Sequence, residues 1–190
     1  MSYQNYIYLY HLTAIDNLSS ILQLGILSRS KAPICKDIAD KNIVDKRKDL
    51  EVYVPFHFYP KTPFARSYIK KHYDTGFVYI TVLRSYAREH NWLIAPTHPL
   101  SDSFTGLYQF DKGIKEIDWG AMTMTYDPQE SYCHNVRMAE CLSPLAVPIS
   151  AIQNIYVQGH VNSKYRKEVE LLLKAHNINK IKVLSDHRTI

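Results

Sequence analysis

Cysteine is scarce in this chain. Its 190 residues hold three, Cys35, Cys133 and Cys141, an odd number at wide spacing with no CxxC or Cys/His pattern. That argues against a disulfide framework and a structural zinc site, and fits reduced thiols in a cytoplasmic protein. No apolar run approaches the length that crosses a bilayer. The start, "MSYQNYIYLYHLT", lacks a basic head followed by an apolar core, so neither a membrane span nor a signal peptide is expected. No GxGxxG follows a strand-like segment and no GxxxxGK[ST] occurs, which removes the common phosphate-cradling loops. No repeat, low-complexity tract or Pro/Gly/Ser linker divides the chain, so one domain over residues 1–190 is expected.

Tyrosine, by contrast, is abundant: 15 residues against only two tryptophans. Tyrosine packs, hydrogen-bonds and stacks on bases. The net charge of +5, from 23 basic and 18 acidic residues, suits a polyanion or phosphate-rich ligand and is equally ordinary for a globular protein.

The pattern along the chain predicts short strands interspersed with short helices. "YIYLYHL" (6–12) reads as a strand. The helix after it starts in a capping-box-like way, with Thr13 three residues before Asp16, and stops at Gly25. "VYVPFHFY" (52–59), "GFVYITVL" (76–83), "WLIA" (92–95), "VRMAECL" (136–142), "IQNIYVQG" (152–159) and "KIKVL" (180–184) read as strands. Residues 62–73 and 162–177 read as helices, and 125–135 as a loop. The sum is an α+β domain, two small packed β-sheets flanked by short helices.

Several residues stand where chemistry could occur. His11 and Thr13 lie at a strand end just ahead of a helix N-terminus, where free backbone N–H groups can meet an anion. Arg47 sits between Lys46 and Lys48. Tyr53, Phe56, Phe58, Tyr59 and Phe64 crowd a short span with three prolines, as a core strand or the wall of a pocket for a planar ligand. His98 is held between Pro96 and Pro99, and a polar loop with Tyr126, Tyr132 and His134 leads toward Glu140, the one acidic residue in "NVRMAECLSP". Each of these also fits a structural role: a satisfied strand-end histidine, a solvated charged face, a surface loop.

Taken in order, "YHLTAIDNLSSILQLGILS", "KRKDLEVYVPFHFYPKTPF", "KEIDWGAM" and "VRMAECLSPLAVPISAIQNIYV" resemble the DarT family of ADP-ribosyltransferase toxins, which modify bases of nucleic acid using NAD. The likeness runs from about residue 8 to 170, and its most specific pieces are Tyr53-Val54-Pro55-Phe56-His57-Phe58 and Ala139-Glu140. It implies an ADP-ribosyltransferase-like fold with no metal. It also implies Glu140 as the catalytic glutamate, Arg47 as a contact to NAD in the site, and His11 to Asn17, with Thr13, as the segment opening the NAD pocket. Tyr53 and Phe64 would stack on the nicotinamide, and His98 would stand near the acceptor base. Tyr126, Tyr132, His134 and Arg137 would meet the nucleic acid. One departure is local: Phe64-Ala65 stands where family members carry methionine or leucine.

The chemistry suits these residue types. Breaking the bond between a cationic nicotinamide and its ribose needs no acid on the leaving group. A carboxylate beside the sugar can stabilise the oxocarbenium-like transition state and take a proton from the incoming base. Protein-arginine transferases tend to carry a Glu-x-Glu pair. Met138 occupies the position two before Glu140, which argues against a protein-arginine acceptor; the basic balance with Tyr126, Tyr132 and His134 favours single-stranded nucleic acid, and the resemblance implies DNA ahead of RNA. The resemblance further implies an antitoxin partner, a macrodomain-type hydrolase among the candidates, and a role in toxin–antitoxin or phage defence. The alternatives are a transferase with a protein, tRNA or small-molecule acceptor, and an inactive nucleotide- or RNA-binding module.

Overall fold

Alternation writes the longest strand pairing. Along Tyr8–Ala14 (β1), Leu9 enters one buried layer while Tyr10, Leu12 and Ala14 enter the other. Phe77–Leu83 (β3) does the same, with Val78, Ile80 and Val82 on the first face and Phe77 and Tyr79 on the second. Matching periods on antiparallel partners fix the register at Tyr8↔Leu83 through Ala14↔Phe77. The structure is a computed structural model and describes residues 3–32, 48–72, 74–124, 131–158 and 162–185.

Among the described residues six further strands belong to the sheet: Val54–His57 (β2), Leu93–Ala95 (β4), Tyr108–Gln109 (β5), Glu140–Ser143 (β6), Ile152–Gln158 (β7) and Lys182–Ser185 (β8). Their order is β5-β4-β6-β2-β1-β3-β7-β8. All pairings are antiparallel except β7 with β8, which are joined by the helix Asn162–Ala175. The expected two small sheets appear as two four-stranded halves. They are hydrogen-bonded edge to edge rather than separate, through the single register pair Tyr10↔His57 between β1 and β2.

The described helices are Leu18–Leu24 (α1), Pro63–Lys71 (α2), Arg84–Glu89 (α3), Phe110–Glu116 (α4), Trp119–Thr123 (α5), Ser131–Val136 (α6) and Asn162–Ala175 (α7). α1 and α7 cover one face of the long half with Leu18, Ile21, Leu22, Val169 and Leu173. α2 covers the other, where Ala65 and Tyr68 pack on Tyr10, Phe77 and Tyr79. Much of the tyrosine surplus lies here, as packing. Burying each large apolar side chain contributes roughly 1.5–3 kcal/mol.

Local signals end the helices. Gly25 stops α1 at φ 81°, and a Cβ there would stand 2.6 Å from the Val147 carbonyl oxygen, so glycine alone fits beside the Ile26–Val147 bridge. Pro63 opens α2, and the Thr62 hydroxyl accepts from the Ala65 N–H at 3.1 Å. Thr13 caps nothing: it belongs to β1, and its side chain accepts instead from Asn17.

One cation ties the halves together. Arg84, at the start of α3, donates to the carbonyls of Tyr3, Gln4 and Tyr8 and lies 5.1 Å from the Phe58 ring and 5.3 Å from the Trp119 ring. Burial lowers its pKa to about 10, which still leaves it charged at neutral pH.

Candidate active site

Glu140 opens the strand β6; the strand expected over 136–142 begins four residues late. The segment before it is the helix α6 where a loop was expected. The chain leaves α6 through tight turns, Met138 N–H to Asn135 O and Ala139 N–H to Val136 O. Glu140 is then held on both sides by ladders, opposite His57 of β2 and Ala95 of β4. It is 0% exposed. A carboxylate on a strand flanked by two others has a fixed backbone, and an alanine neighbour crowds it little.

His57 is the residue that sequence reasoning missed. It shares a face of the sheet with Glu140, and its Nδ1 lies 3.2 Å from the carbonyl of Ala139, the residue before Glu140. A carbonyl only accepts, so Nδ1 carries the hydrogen and the imidazole clamps β2 to the start of β6. The motif "YVPFHF" pointed at this strand; only the β2–β6 register reveals which of its side chains faces the carboxylate.

The seam between the halves explains His11. In an antiparallel strand a residue's N–H and C=O point to the same neighbour. The carbonyl of Pro55 is taken by β1, by the His11 ring Nδ1 at 2.8 Å, so the N–H that proline lacks is the one β1 would have used. Ladder pairing is limited to one register pair, and the His11 imidazole bonds Pro55 and lies against the Phe56 ring at 5.3 Å. His11 keeps some accessible surface as a residue, yet its ring lies deep in the seam. Burial first, then repulsion from His57, pushes its pKa down to about 4 against the opposing Pro55 contact, so it is neutral at pH 7.

Thr13 lies two residues on, joined to Asn17 by an Nδ2–H to Oγ1 bond of 3.1 Å. His57 and Glu140 share one face of the sheet with Tyr10, while the His11 ring lies against Phe56 at 5.3 Å, with Thr13 and Asn17 further along on the β1 side. The aromatic wall divides. Phe56 and Phe58 are core, with Phe56 against Trp92 at 5.0 Å. Tyr53 and Phe64 are half-buried, and Phe64 leans on Tyr68 at 5.6 Å. Arg47 and Tyr126 lie outside the described residues.

Arg137 is a correction. Expected against nucleic acid, it is 4% exposed, its guanidinium donates to the carbonyls of Met122 and Met124, and it sits over the Tyr59 ring. Inward-facing carbonyls, left by the end of α5, outcompete a surface role. His134 is half-buried, and burial together with the nearby Arg137 charge lowers its pKa.

His98 sits elsewhere, on a cavity of about 370 Å³ lined also by Ser101, Asp102, Ser103, Tyr132 and Asn135. Its main-chain N–H donates to the Asn135 carbonyl at 2.9 Å, which docks the 98–103 loop on α6. The Tyr132 hydroxyl donates to Asp118, the residue that caps α5. Among the described residues no group of three or more His, Cys, Asp or Glu side chains could hold a metal, and no helix is long and apolar enough to cross a membrane.

A family model described as "ssDNA thymidine ADP-ribosyltransferase, DarT" matches residues 10–188. A DNA ADP-ribosyl transferase–DNA ADP-ribosyl glycohydrolase fusion protein of Thermosipho africanus is 29% identical over 85% of this chain, which spans only 45% of that protein. A DNA ADP-ribosyl transferase of Thermus sp. is 27% identical over 87% of each. The solved complex of Thermus sp. DarT with ADP-ribosylated ssDNA superposes with a TM-score of 0.80 at 21% identity, covering 94% of this chain and 93% of that one. Its NAD+ complex superposes at 0.75 with 20% identity, covering 93% and 94%.

Proposed function

This chain belongs to the DarT family of ssDNA thymidine ADP-ribosyltransferases, and from that premise we propose that it transfers ADP-ribose from NAD to a thymine ring nitrogen in single-stranded DNA, with Glu140 as the catalytic carboxylate. The fold, as expected, is that of an ADP-ribosyltransferase.

The site offers what NAD needs. His11, neutral at pH 7, and the Thr13–Asn17 pair supply uncharged hydrogen-bonding groups where β1 and β2 share a single register pair. Tyr53 and Phe64 supply half-buried rings for a planar nicotinamide. Arg47, by the family likeness, supplies a planar fork for the pyrophosphate or sugar.

The step balances simply. The C1′–N bond to nicotinamide breaks and its electron pair leaves with the nicotinamide, which becomes neutral. In thymidine N1 already carries the sugar, so the incoming nucleophile is N3. Its electron pair forms the new C1′–N bond, and its proton passes to the Glu140 carboxylate. The same carboxylate stabilises positive charge on the ribose as the old bond stretches. His57 acts as a positioning residue, holding the backbone from which Glu140 projects.

The observation that carries this reading is Glu140: fully buried, first in β6 and held between two strands. The test incubates labelled NAD with single-stranded oligonucleotides that contain or lack thymidine. Label on the thymidine oligonucleotide alone, reduced about 10²- to 10⁴-fold in Glu140→Gln, is the expected result. Label on bulk protein instead, or undiminished labelling by Glu140→Gln, overturns it.

A toxin role in a toxin–antitoxin or defence system goes with this activity, and a cytoplasmic location with its substrates. The fusion of transferase to glycohydrolase in the Thermosipho protein supports a partner that removes the mark, an antitoxin of macrodomain type.

A further inference from the structure

We propose that the cavity between the 98–103 loop and α6 receives the base adjoining the modified thymidine and selects one that bears an exocyclic amino group. This rests on the transfer to thymidine proposed above.

Position comes first. Ala95 is the cross-strand neighbour of Glu140, and His98, on the cavity wall, follows it by three residues. Three residues span at most about 10 Å. The other wall, at Asn135, connects to Glu140 through the two tight turns after α6. Both walls are therefore continuations of the strands that hold the carboxylate. A strand with one base at Glu140 has a neighbouring base within reach of this opening.

Rigidity comes next. The loop is fixed by Ser101 N–H and Oγ–H to the His98 carbonyl, by Thr97 to the Ser103 carbonyl, and by Phe104 N–H to Ser101. The Tyr132 ring is anchored by its hydroxyl on Asp118. A preformed site with one aromatic wall suits a flat ring.

Charge chooses the ligand. Among the described residues that line the cavity none is lysine or arginine, so it is unsuited to phosphate. Asp102 brings a carboxylate, which only accepts, and Asn135 an amide that both accepts and donates. A carboxylate meets an exocyclic amine of cytosine or adenine with a hydrogen bond and meets a carbonyl edge with repulsion.

The test uses oligonucleotides with one thymidine and, on either side in turn, adenine or unsubstituted purine, which differ only by the amino group. At one of the two sides the wild-type protein should label the adenine substrate about 5- to 100-fold better in kcat/KM. Asp102→Ala should bring that ratio close to one while labelling of the unsubstituted-purine substrate stays within a few-fold of wild type. Asn135→Ala, a second variant, should narrow the ratio in the same direction. Equal labelling of both substrates by wild type, or an unchanged ratio in Asp102→Ala, overturns the cavity and leaves the transfer reading intact. No label on any thymidine oligonucleotide overturns the transfer reading, and this proposal with it.

Discussion

β1 and β3 pair along seven consecutive residues, from Tyr8↔Leu83 to Ala14↔Phe77, whereas β2 meets β1 at Tyr10↔His57 alone and β4 meets β5 at two positions. The long half, β1-β3-β7-β8, carries apolar side chains on both faces between α2 on one side and α1 and α7 on the other. The short half, β5-β4-β6-β2, carries Glu140 and His57. Regular pairing and two-sided burial build a rigid base. The proposed site lies on short strands beside the one weakly paired joint of the sheet, where β1 and β2 share a single register pair next to Pro55. The contrast predicts that stability and activity separate by half.

The sharpest way to break that contrast is a pair of substitutions. Glu140→Gln should lower kcat by about 10²- to 10⁴-fold with little change in the thermal midpoint, since the shape in the buried site is kept. Ile80→Ala, in the centre of β3 and 0% exposed, should do the reverse, costing about 2–5 kcal/mol in chemical denaturation while kcat at low temperature stays within a few-fold of wild type. If Ile80→Ala slows catalysis as much as Glu140→Gln does, the halves are not functionally separate.

The same contrast decides what could be read from the residues alone. Phe77–Leu83 and Ile152–Gln158 were legible because their apolar content is dense, whereas the strand expected over 6–12 runs Tyr8–Ala14 and takes in Thr13, read as a helix start. α1 and α2 were legible from Gly25 and Pro63. In the short half β2 and β4 were expected too, at 52–59 and 92–95, but the bounds of β6 were missed for a physical reason. β6 is four residues long and is set by its ladder partners β2 and β4, not by its own sequence, so "VRMAECL" reads as a strand although Val136 ends a helix. His57 could be placed in a strand, but not opposite Glu140, since that depends on register. Arg137 was expected against nucleic acid, while the carbonyls of Met122 and Met124, placed by the fold, offer it buried partners. Glu140, proposed as the catalytic carboxylate, was singled out through the family likeness.

Acid should strike at the seam. An unfolded His11 takes a proton near pH 6.5, and the folded one only near pH 4. Between those values the unfolded chain holds more protons, so this contribution is fully present above about pH 6.5 and is lost as pH falls through 4. Its size is at most roughly 3 kcal/mol. Denaturation midpoints at pH 7 and pH 4.5 should fall further apart for wild type than for His11→Gln, whose side chain cannot take up a proton. Equal pH sensitivity of the two proteins would mean that the weakly paired joint admits enough water to hydrate an imidazolium.

The smallest effect tests the one helix that joins both roles. α2 rests on the long half, where Tyr68 packs edge-on against Phe77 at 5.6 Å, yet its first turn carries Phe64, proposed to face the nicotinamide. Thr62 fixes that turn by accepting from Ala65 N–H and is itself 1% exposed. Thr62→Ala removes the cap and should cost about 1 kcal/mol, a fall of roughly 2–4 °C in Tm for a chain of this size. A helix anchored by Tyr68 will not melt from this, but its first turn will loosen. If Phe64 contacts NAD, KM for NAD should therefore rise a few-fold while kcat is held, because the carboxylate on β6 is untouched. Phe64→Leu, which keeps the cap and loses the ring, should raise the same KM with no loss of Tm. A shift in Tm without any change in KM would assign α2 to the base alone and move the nicotinamide to the seam beside His11.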